Sequence, residues 1–454
     1  MTELTYAAAL DAVHERGRFG IRLGLGRTRA ILRALGDPQR AFHGALVAGT
    51  NGKGSVLALA ASALREAGLR VGETPKPHLV TYRERLQVNG RPVDPATFAR
   101  LVGDVLPIAD RVARRLGEPT EFEILTALVF RWFAEEAIDL ALVEVGLGGR
   151  LDATHAWDGG VAAITNVDLD HTDRLGPTIA AIAREKAAII ERGDRAVTGA
   201  TGEALAIVRR RAARLGVPLV EAPPAPLVGW DRDGIVVELP GLGETRVGLR
   251  GRHQAANVAV ADAVLDALEA AGIARTSADG RRRGYATARW PGRLELLVAD
   301  GPAGPREILL DGAHNPAGAA VLATALDDLR PFLAGGDGPG RPPLTLVMAA
   351  VADKDVGAVV AALARSAALD GARIICTDLG LPRSLGADGL AARWAAEMPG
   401  SRPVVAPTPE AALERALREA PGPIVVAGSL YLVGAIRGVL VDDPDLRQEE
   451  PRTR

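Results

Sequence analysis

The run Gly49-Thr50-Asn51-Gly52-Lys53-Gly54-Ser55 constrains this chain more than any other segment. Apolar Ala45 to Ala48 precede it, and an Ala- and Leu-rich stretch ending near Gly68 follows it, so the pattern reads strand, glycine-rich turn, helix. The spacing departs from G-x-x-x-x-G-K-[ST], because Val47 stands where the first Gly would be and Gly54 follows Lys53. The physical requirement for holding an anion is still met. Glycines let backbone N–H groups turn inward, the helix start adds positive potential, Lys53 adds a compact charge, and the Ser55 hydroxyl can hold Mg2+. All seven residues are therefore candidate phosphate contacts, the alternative being an ordinary turn.

Further short apolar strands alternate with helical stretches. An amphipathic segment, Phe122 to Ala137, leads into a strand over Leu140 to Val145 and then into Gly146-Leu-Gly-Gly149. A strand over Val161 to Asn166 is followed by a polar turn and a helix near Ile179 to Ile190, and helical patterning returns from Asn257 to Ala271. Between these, the Pro- and Gly-rich tract Val217 to Gly248 reads as a small antiparallel excursion. Tyr285 to Leu294 breaks the pattern, after which strands and helices alternate again over Ile308 to Leu310, Pro316 to Leu329, Leu344 to Ala349, Val356 to Ala368, Arg373 to Thr377, a helix near Leu390 to Met398, Ile424 to Ala427 and Tyr431 to Leu440.

The reading is an α/β chain: an N-terminal P-loop-type, mainly parallel sheet domain over 1–288, then a second, smaller Rossmann-like α/β domain over 289–454, with a linker at about 286–296. Gly335 to Pro343 reads as a solvated loop and Asp442 to Arg454 as a frayed tail.

Composition narrows the function classes. Of 454 residues, 54 are basic and 56 acidic, and they are mixed along the chain, so no basic stripe exists to neutralise nucleic acid. The lone Cys376 excludes an internal disulfide framework and Cys-rich metal sites. No signal-peptide pattern and no apolar run of about 20 residues is present, so a cytoplasmic protein with no membrane or nucleic-acid partner is expected. Only four of the basic residues are lysines: Lys53, Lys76, Lys186 and Lys354. In a chain that uses Arg for generic positive charge, Lys should persist where an amine or compact ammonium is needed.

Glu144 at the end of one strand and His171 at the end of the next would project beside the glycine loop, where Ser55, Glu144 and His171 could share Mg2+ or Mn2+. The alternative is a capping Glu and a solvated His.

These segments together resemble the folylpolyglutamate synthase and dihydrofolate synthase family of the Mur ligase superfamily, over roughly Tyr6 to Gly438. The ordered matches include residues 49–55, PHL at 77–79, ERLQVNG at 84–90, FEILTALVF at 122–130 and EVGLGGRLDAT at 144–154. They continue with NVDLDHTDRLG at 166–176, IAREKAAII at 182–190, His253 to Asn257, WPGRLE at 290–295, DGAHNP at 311–316 and GSLYLVG at 428–434.

The resemblance implies an ATP-dependent ligase that joins L-glutamate to dihydropteroate, to a folate, or to both, through an acyl phosphate. It implies magnesium, up to two ions, held by Ser55, Glu144, His171 and a carbamylated Lys186, and it leaves room for K+. Lys53, Lys186 and His314 would be catalytic, with Asn257, Arg293 and Asp311 on the nucleotide. Phe122 and Asp152 would meet the pterin, and His314 with Asp311 would close over ATP and receive glutamate. A monomer is the usual state.

Two positions depart from the family pattern: Lys76 stands where a small hydroxyl residue is usual, and His155 where Asn is usual. Both are expected to border the acceptor. Lys76, bracketed by Pro75 and Pro77, is a candidate acceptor contact, with a solvated loop charge as its alternative. A non-folate carboxylate acceptor, or a nucleotide-binding protein without catalysis, are the competing functions.

Overall fold

The computed structural model describes residues 4–18, 20, 22–302, 304–336, 338 and 340–446. Strands His43–Ala48 (β1), Val71–Thr74 (β2), Gln87–Val88 (β3), Arg91–Pro92 (β4), Leu140–Glu144 (β5), Gly160–Ile164 (β6), Arg195–Thr198 (β7) and Leu219–Glu221 (β8) form one sheet in the order β4-β3-β2-β5-β1-β6-β7-β8. From β2 to β8 every neighbouring pair is parallel, and β3 and β4 add an antiparallel edge. The residues of β1 alternate between two cores: Ala45 and Val47 pack on one face of the sheet, Leu46 and Ala48 on the other. Both faces are buried, which is why β1 and β5 read as nearly unbroken apolar runs.

The Pro- and Gly-rich tract forms a three-stranded antiparallel sheet of Leu227–Asp231 (β9), Gly234–Leu239 (β10) and Gly243–Val247 (β11), as its alternation suggested. A third sheet runs β12-β13-β17-β14-β15-β16, from Glu295–Gly301 (β12), Gly304–Leu310 (β13), Thr345–Met348 (β14), Arg373–Thr377 (β15), Val404–Ala406 (β16) and Ile424–Ala427 (β17). It is parallel except for the β12–β13 hairpin. Its two faces carry separate cores, with Leu346 and Met348 on one and Val347 and Ala349 on the other.

Several sequence expectations are corrected. Helix Glu121–Glu135 is not amphipathic in its setting: Glu123 through Phe130, Trp132 and Phe133 are all buried, because helices Tyr6–Gly17, Gly26–Ala34 and Pro95–Leu116 pack against it and Phe133 reaches Gly72 of β2. The break expected from Tyr285 comes later, since Tyr285 lies in helix Ala278–Thr287, wholly buried, its hydroxyl donating to Asp262 at 2.8 Å. The 22-residue helix Pro95–Leu116 was passed over, although Asp94 accepts a hydrogen bond from the Thr97 N–H and Pro95 opens the first turn. Of the expected tail, residues 447–454 lie outside the described residues, as do Asp337 and Pro339 in the expected solvated loop.

Candidate active site

The parallel register sets the carboxyl ends of β2, β5, β1 and β6 side by side: Val47 pairs with Glu144, Ala48 with Ile164 and Thr74 with Val143. Ligands of such sheets bind there, where connections leave the central strand in opposite directions. The glycine loop leaves β1 and turns into helix Lys53–Glu66. Gly52 has φ 82°, open to Gly at little cost, and a Cβ there would fall 2.3 Å from Asn257 Oδ1, so Asn257 can sit directly against the loop.

The loop is stitched to the segment after β6. Asn166 Oδ1 accepts from the Asn51 N–H at 2.8 Å, the Thr165 hydroxyl donates to the Asn51 carbonyl at 2.6 Å, and the Asp168 N–H donates to Thr50 Oγ1 at 3.0 Å.

Two amines converge on this loop. Lys53 Nζ donates to the carbonyls of Gly49 and Thr50 at 3.0 and 3.1 Å, and Lys186 Nζ donates to the same Gly49 carbonyl at 2.8 Å. Burial, reinforced by the charge of Lys53, pushes the Lys186 amine down to about 7. Lys53 also stands 3.9 Å from Glu144 Oε1, while the Lys76 N–H donates to Glu144 Oε2 at 2.9 Å. Burial pushes the Glu144 carboxyl up from its ordinary value, opposed by Lys53 and the Lys76 N–H.

His171, in the left-handed conformation, lines the same cleft as Lys53, Asp170 and Lys186. Burial lowers its imidazole below the usual value, with Asp170 opposing. Ser55 lies buried in the first helical turn, with Gln254 Nε2 3.4 Å from its hydroxyl.

Lys76 is no solvated loop charge. Its ammonium donates to the Glu144 backbone carbonyl at 2.7 Å and lies 4.6 Å from the centre of the Phe122 ring, and burial pushes it down to about 8. With Phe122, Arg85, Thr126, Phe130 and Thr154 it lines a second, more apolar cleft. Asp152 is buried beside this region, but its oxygens accept from Leu147 N–H, Thr154 N–H and the Thr154 hydroxyl, so in this structure it organises its own loop. His155 does not line that cleft. It is buried with Nδ1 3.2 Å from the Arg150 carbonyl and Nε2 3.1 Å from Glu191, which replaces the expectation that it borders an acceptor.

The second half of the chain brings its own residues to the same place. Asp311 is buried, its oxygens accepting from Leu294 and Ala313 N–H, and burial raises its carboxyl despite Arg293. His314 Nδ1 is 2.8 Å from the Gly312 carbonyl, and burial lowers its imidazole. The Trp290 ring lies so close to Gly54 that a Cβ there would be 2.5 Å from it. Across the cleft Asp170 meets Lys354 at 3.5 Å and Asn315 Nδ2 at 3.3 Å. Burial works to raise its carboxyl, but His171 first and Lys354 next hold it below the usual range.

Gln254, Trp290, Asp170 and Asn315 were missed by sequence reasoning. Each lies within or beside a quoted motif, and what marks it is a partner distant in sequence.

Among the described residues no three His, Cys, Asp or Glu side chains gather as a ready-made metal centre. The donors present are the Ser55 hydroxyl, the Glu144 carboxylate and the His171 imidazole. They fit a hard divalent ion once phosphate oxygens, or a carboxylate added to Lys186, complete the set.

Residues 47–265 match the model of the Mur ligase middle domain, and residues 299–439 that of the dihydrofolate synthetase C-terminal domain. The chain is 38% identical over 334 residues to the dihydrofolate synthase/folylpolyglutamate synthase of Bacillus subtilis, covering 71% of this chain and 76% of that protein. Folylpolyglutamate synthase of Mycobacterium tuberculosis, complexed with ADP and AMPPCP, superposes with a TM-score of 0.83 at 31% identity over 97% of this chain and 100% of that one.

E. coli FolC in complex with DHPP and ADP gives 0.79 at 29% identity, over 96% and 97% of the two chains. A bifunctional folylpolyglutamate synthase/dihydrofolate synthase with Mn, AMPPNP and L-glutamate bound gives 0.77 at 29% identity, over 96% and 98%. No helix among the described residues is long and apolar enough to cross a membrane.

Proposed function

The chain belongs to the folylpolyglutamate synthase/dihydrofolate synthase family, and from that premise we propose that its site joins L-glutamate to dihydropteroate, to a reduced folate, or to both, at the expense of ATP. The observation that carries the reading is the pair of lysine amines on the Gly49 carbonyl beside buried Glu144, at the end of the central strand. A carboxylate is a poor electrophile. Transfer of the γ-phosphoryl group to an acceptor carboxylate oxygen, with ADP leaving, makes that oxygen part of a leaving group. The glutamate amine, having lost its proton, then attacks the acyl carbon and inorganic phosphate departs.

The residues divide this work. The backbone of Gly49 to Gly54 and the amine of Lys53 hold the phosphates and offset the charge spreading over the transferring group. Asn257, Arg293 and Asp311 contact the nucleotide, and Asp311 also holds the turn after Arg293 by accepting from the Leu294 N–H. Ser55, Glu144, His171 and a carbamylated Lys186 would hold Mg2+, up to two ions. When bound, the metal supplies positive charge at the phosphoryl oxygens. A K+ ion is a further component of this proposal.

Phe122 and Lys76 line the acceptor cleft, with Asp152 beneath it. His314 receives glutamate. If Nδ1–H donates to Gly312, as its 2.8 Å contact assigns, Nε2 is left as the acceptor that takes the amine proton.

The division at about 286–296, with 1–288 binding ATP and 289–454 closing on it, belongs to the same reading. Contacts such as Asp170 with Lys354 would shield an acyl phosphate from water. A monomeric cytoplasmic enzyme is proposed.

Phosphate release with ATP, Mg2+ and glutamate, compared with and without dihydropteroate or tetrahydrofolate, tests the reading. Release that depends on either acceptor supports it, and release dependent only on a non-folate carboxylate would replace it.

A further inference from the structure

Glu144 is countered by protein on both of its carboxylate oxygens. Lys53 Nζ approaches Oε1 at 3.9 Å, and the backbone N–H of Lys76 donates to Oε2 at 2.9 Å. The Lys76 ammonium then reaches past the carboxylate to the carbonyl of the same residue at 2.7 Å, its other side against the Phe122 ring. The Glu144 side chain is only 5% exposed, so water does little to screen these charges.

We propose that Lys76 is a resident cation of the site, supplying part of the charge balance at Glu144 that a divalent ion would otherwise supply and thereby weakening metal binding there. The proposal rests on the reading of Glu144 as a metal-holding carboxylate and concerns how strongly this chain holds that metal. A fixed positive charge this close to a buried carboxylate repels an incoming dication through space, although the ammonium itself bonds the Glu144 backbone carbonyl and not the carboxylate. The small hydroxyl residue usual at this position in the family would add an oxygen donor and no charge. Lys76 reverses both properties.

The residue type agrees with the geometry. In a chain with four lysines among 54 basic residues, this position holds a compact ammonium that fits between a carbonyl and an aromatic face, where a guanidinium would need a wider planar slot.

The test is Mn2+ titration of the full chain with AMPPNP present, reading free Mn2+ by electron paramagnetic resonance, for wild type, Lys76→Ser and Lys76→Met. The expected result is that the weakest-held Mn2+ binds at least tenfold more tightly in both neutral variants. A residue that merely supported Glu144 by packing would loosen the metal when lost, so the direction of change separates charge from scaffolding. Lys76→Met keeps the side-chain length and serves where Lys76→Ser disturbs the turn. Affinity unchanged or weakened in the folded neutral variants would overturn the proposal. AMPPNP binding is followed in the same samples, and its absence in wild type would be a failure of the functional reading instead.

Discussion

The amine of Lys186 donates to the carbonyl of Gly49 at 2.8 Å, placing a buried lysine on the first residue of the glycine loop. Burial and Lys53 push that amine down to about 7, so a large fraction is neutral at physiological pH and able to add CO2 as a carbamate. Lys186→Ala is expected to lose activity by about 100-fold or more, and short carboxylates such as acetate should restore part of it. Lys186→Arg keeps a positive charge but cannot form the carbamate, and wild-type rates in that variant would contradict the assignment.

Lys53 is the amine nearest the transferring phosphoryl in this account. Lys53→Ala should lower kcat for phosphate release by about 100-fold, on the order of 3 kcal/mol of transition-state stabilisation. Near-normal turnover would remove the phosphate-loop assignment.

A pH effect on stability is expected away from the site. Burial, with the Glu191 N–H opposing and the neighbouring Asp158 adding to it, pushes the Asp194 carboxyl up to about 7. An unfolded Asp releases its proton near pH 4, roughly 3.9 in model peptides. Folding therefore takes up a proton between about pH 4 and 7, and the stability this lends is complete below that window and lost as pH rises through it. Asp194→Asn should flatten urea-unfolding stability across the window and gain about 1–3 kcal/mol at pH 8, since the amide carries no charge to desolvate. An unaltered pH profile would refute the assignment.

Packing between the two halves is tested at Gly434, in helix Leu430–Leu440. A Cβ there would lie 1.9 Å from the Leu79 carbonyl oxygen, a backbone atom that cannot move aside alone. Gly434→Ala should cost about 1–3 kcal/mol in thermal or urea unfolding, and a variant as stable as wild type would show that this contact is looser than described.

How much of this was legible in sequence varied with the kind of signal. Pro316–Leu329 and Arg373–Thr377 were read with their observed bounds, because Pro follows the capping Asn315 in the first and an unbroken apolar run marks the second. Strand β12 was missed, since its residues are half-buried or exposed and Asp300 and Gly301 interrupt any alternation. In the site, Lys53, Glu144 and Lys186 were found from motifs and do come together. The grip of Lys76 on Glu144 could not be read, because it depends on the register that sets Thr74 beside Val143. His155 looked like a site residue by its position in a motif, while the chain uses it against Glu191.

The central claim is that an acceptor carboxylate is phosphorylated before glutamate attacks it. Acceptor labelled with 18O in that carboxylate, turned over with ATP, Mg2+ and L-glutamate, tests it by mass spectrometry of the released phosphate. One 18O atom is expected in each inorganic phosphate and one retained in the new amide, because the carboxylate oxygen that attacks phosphorus leaves with it. Amide product formed with unlabelled phosphate would contradict the acyl phosphate route and the functional reading built on it.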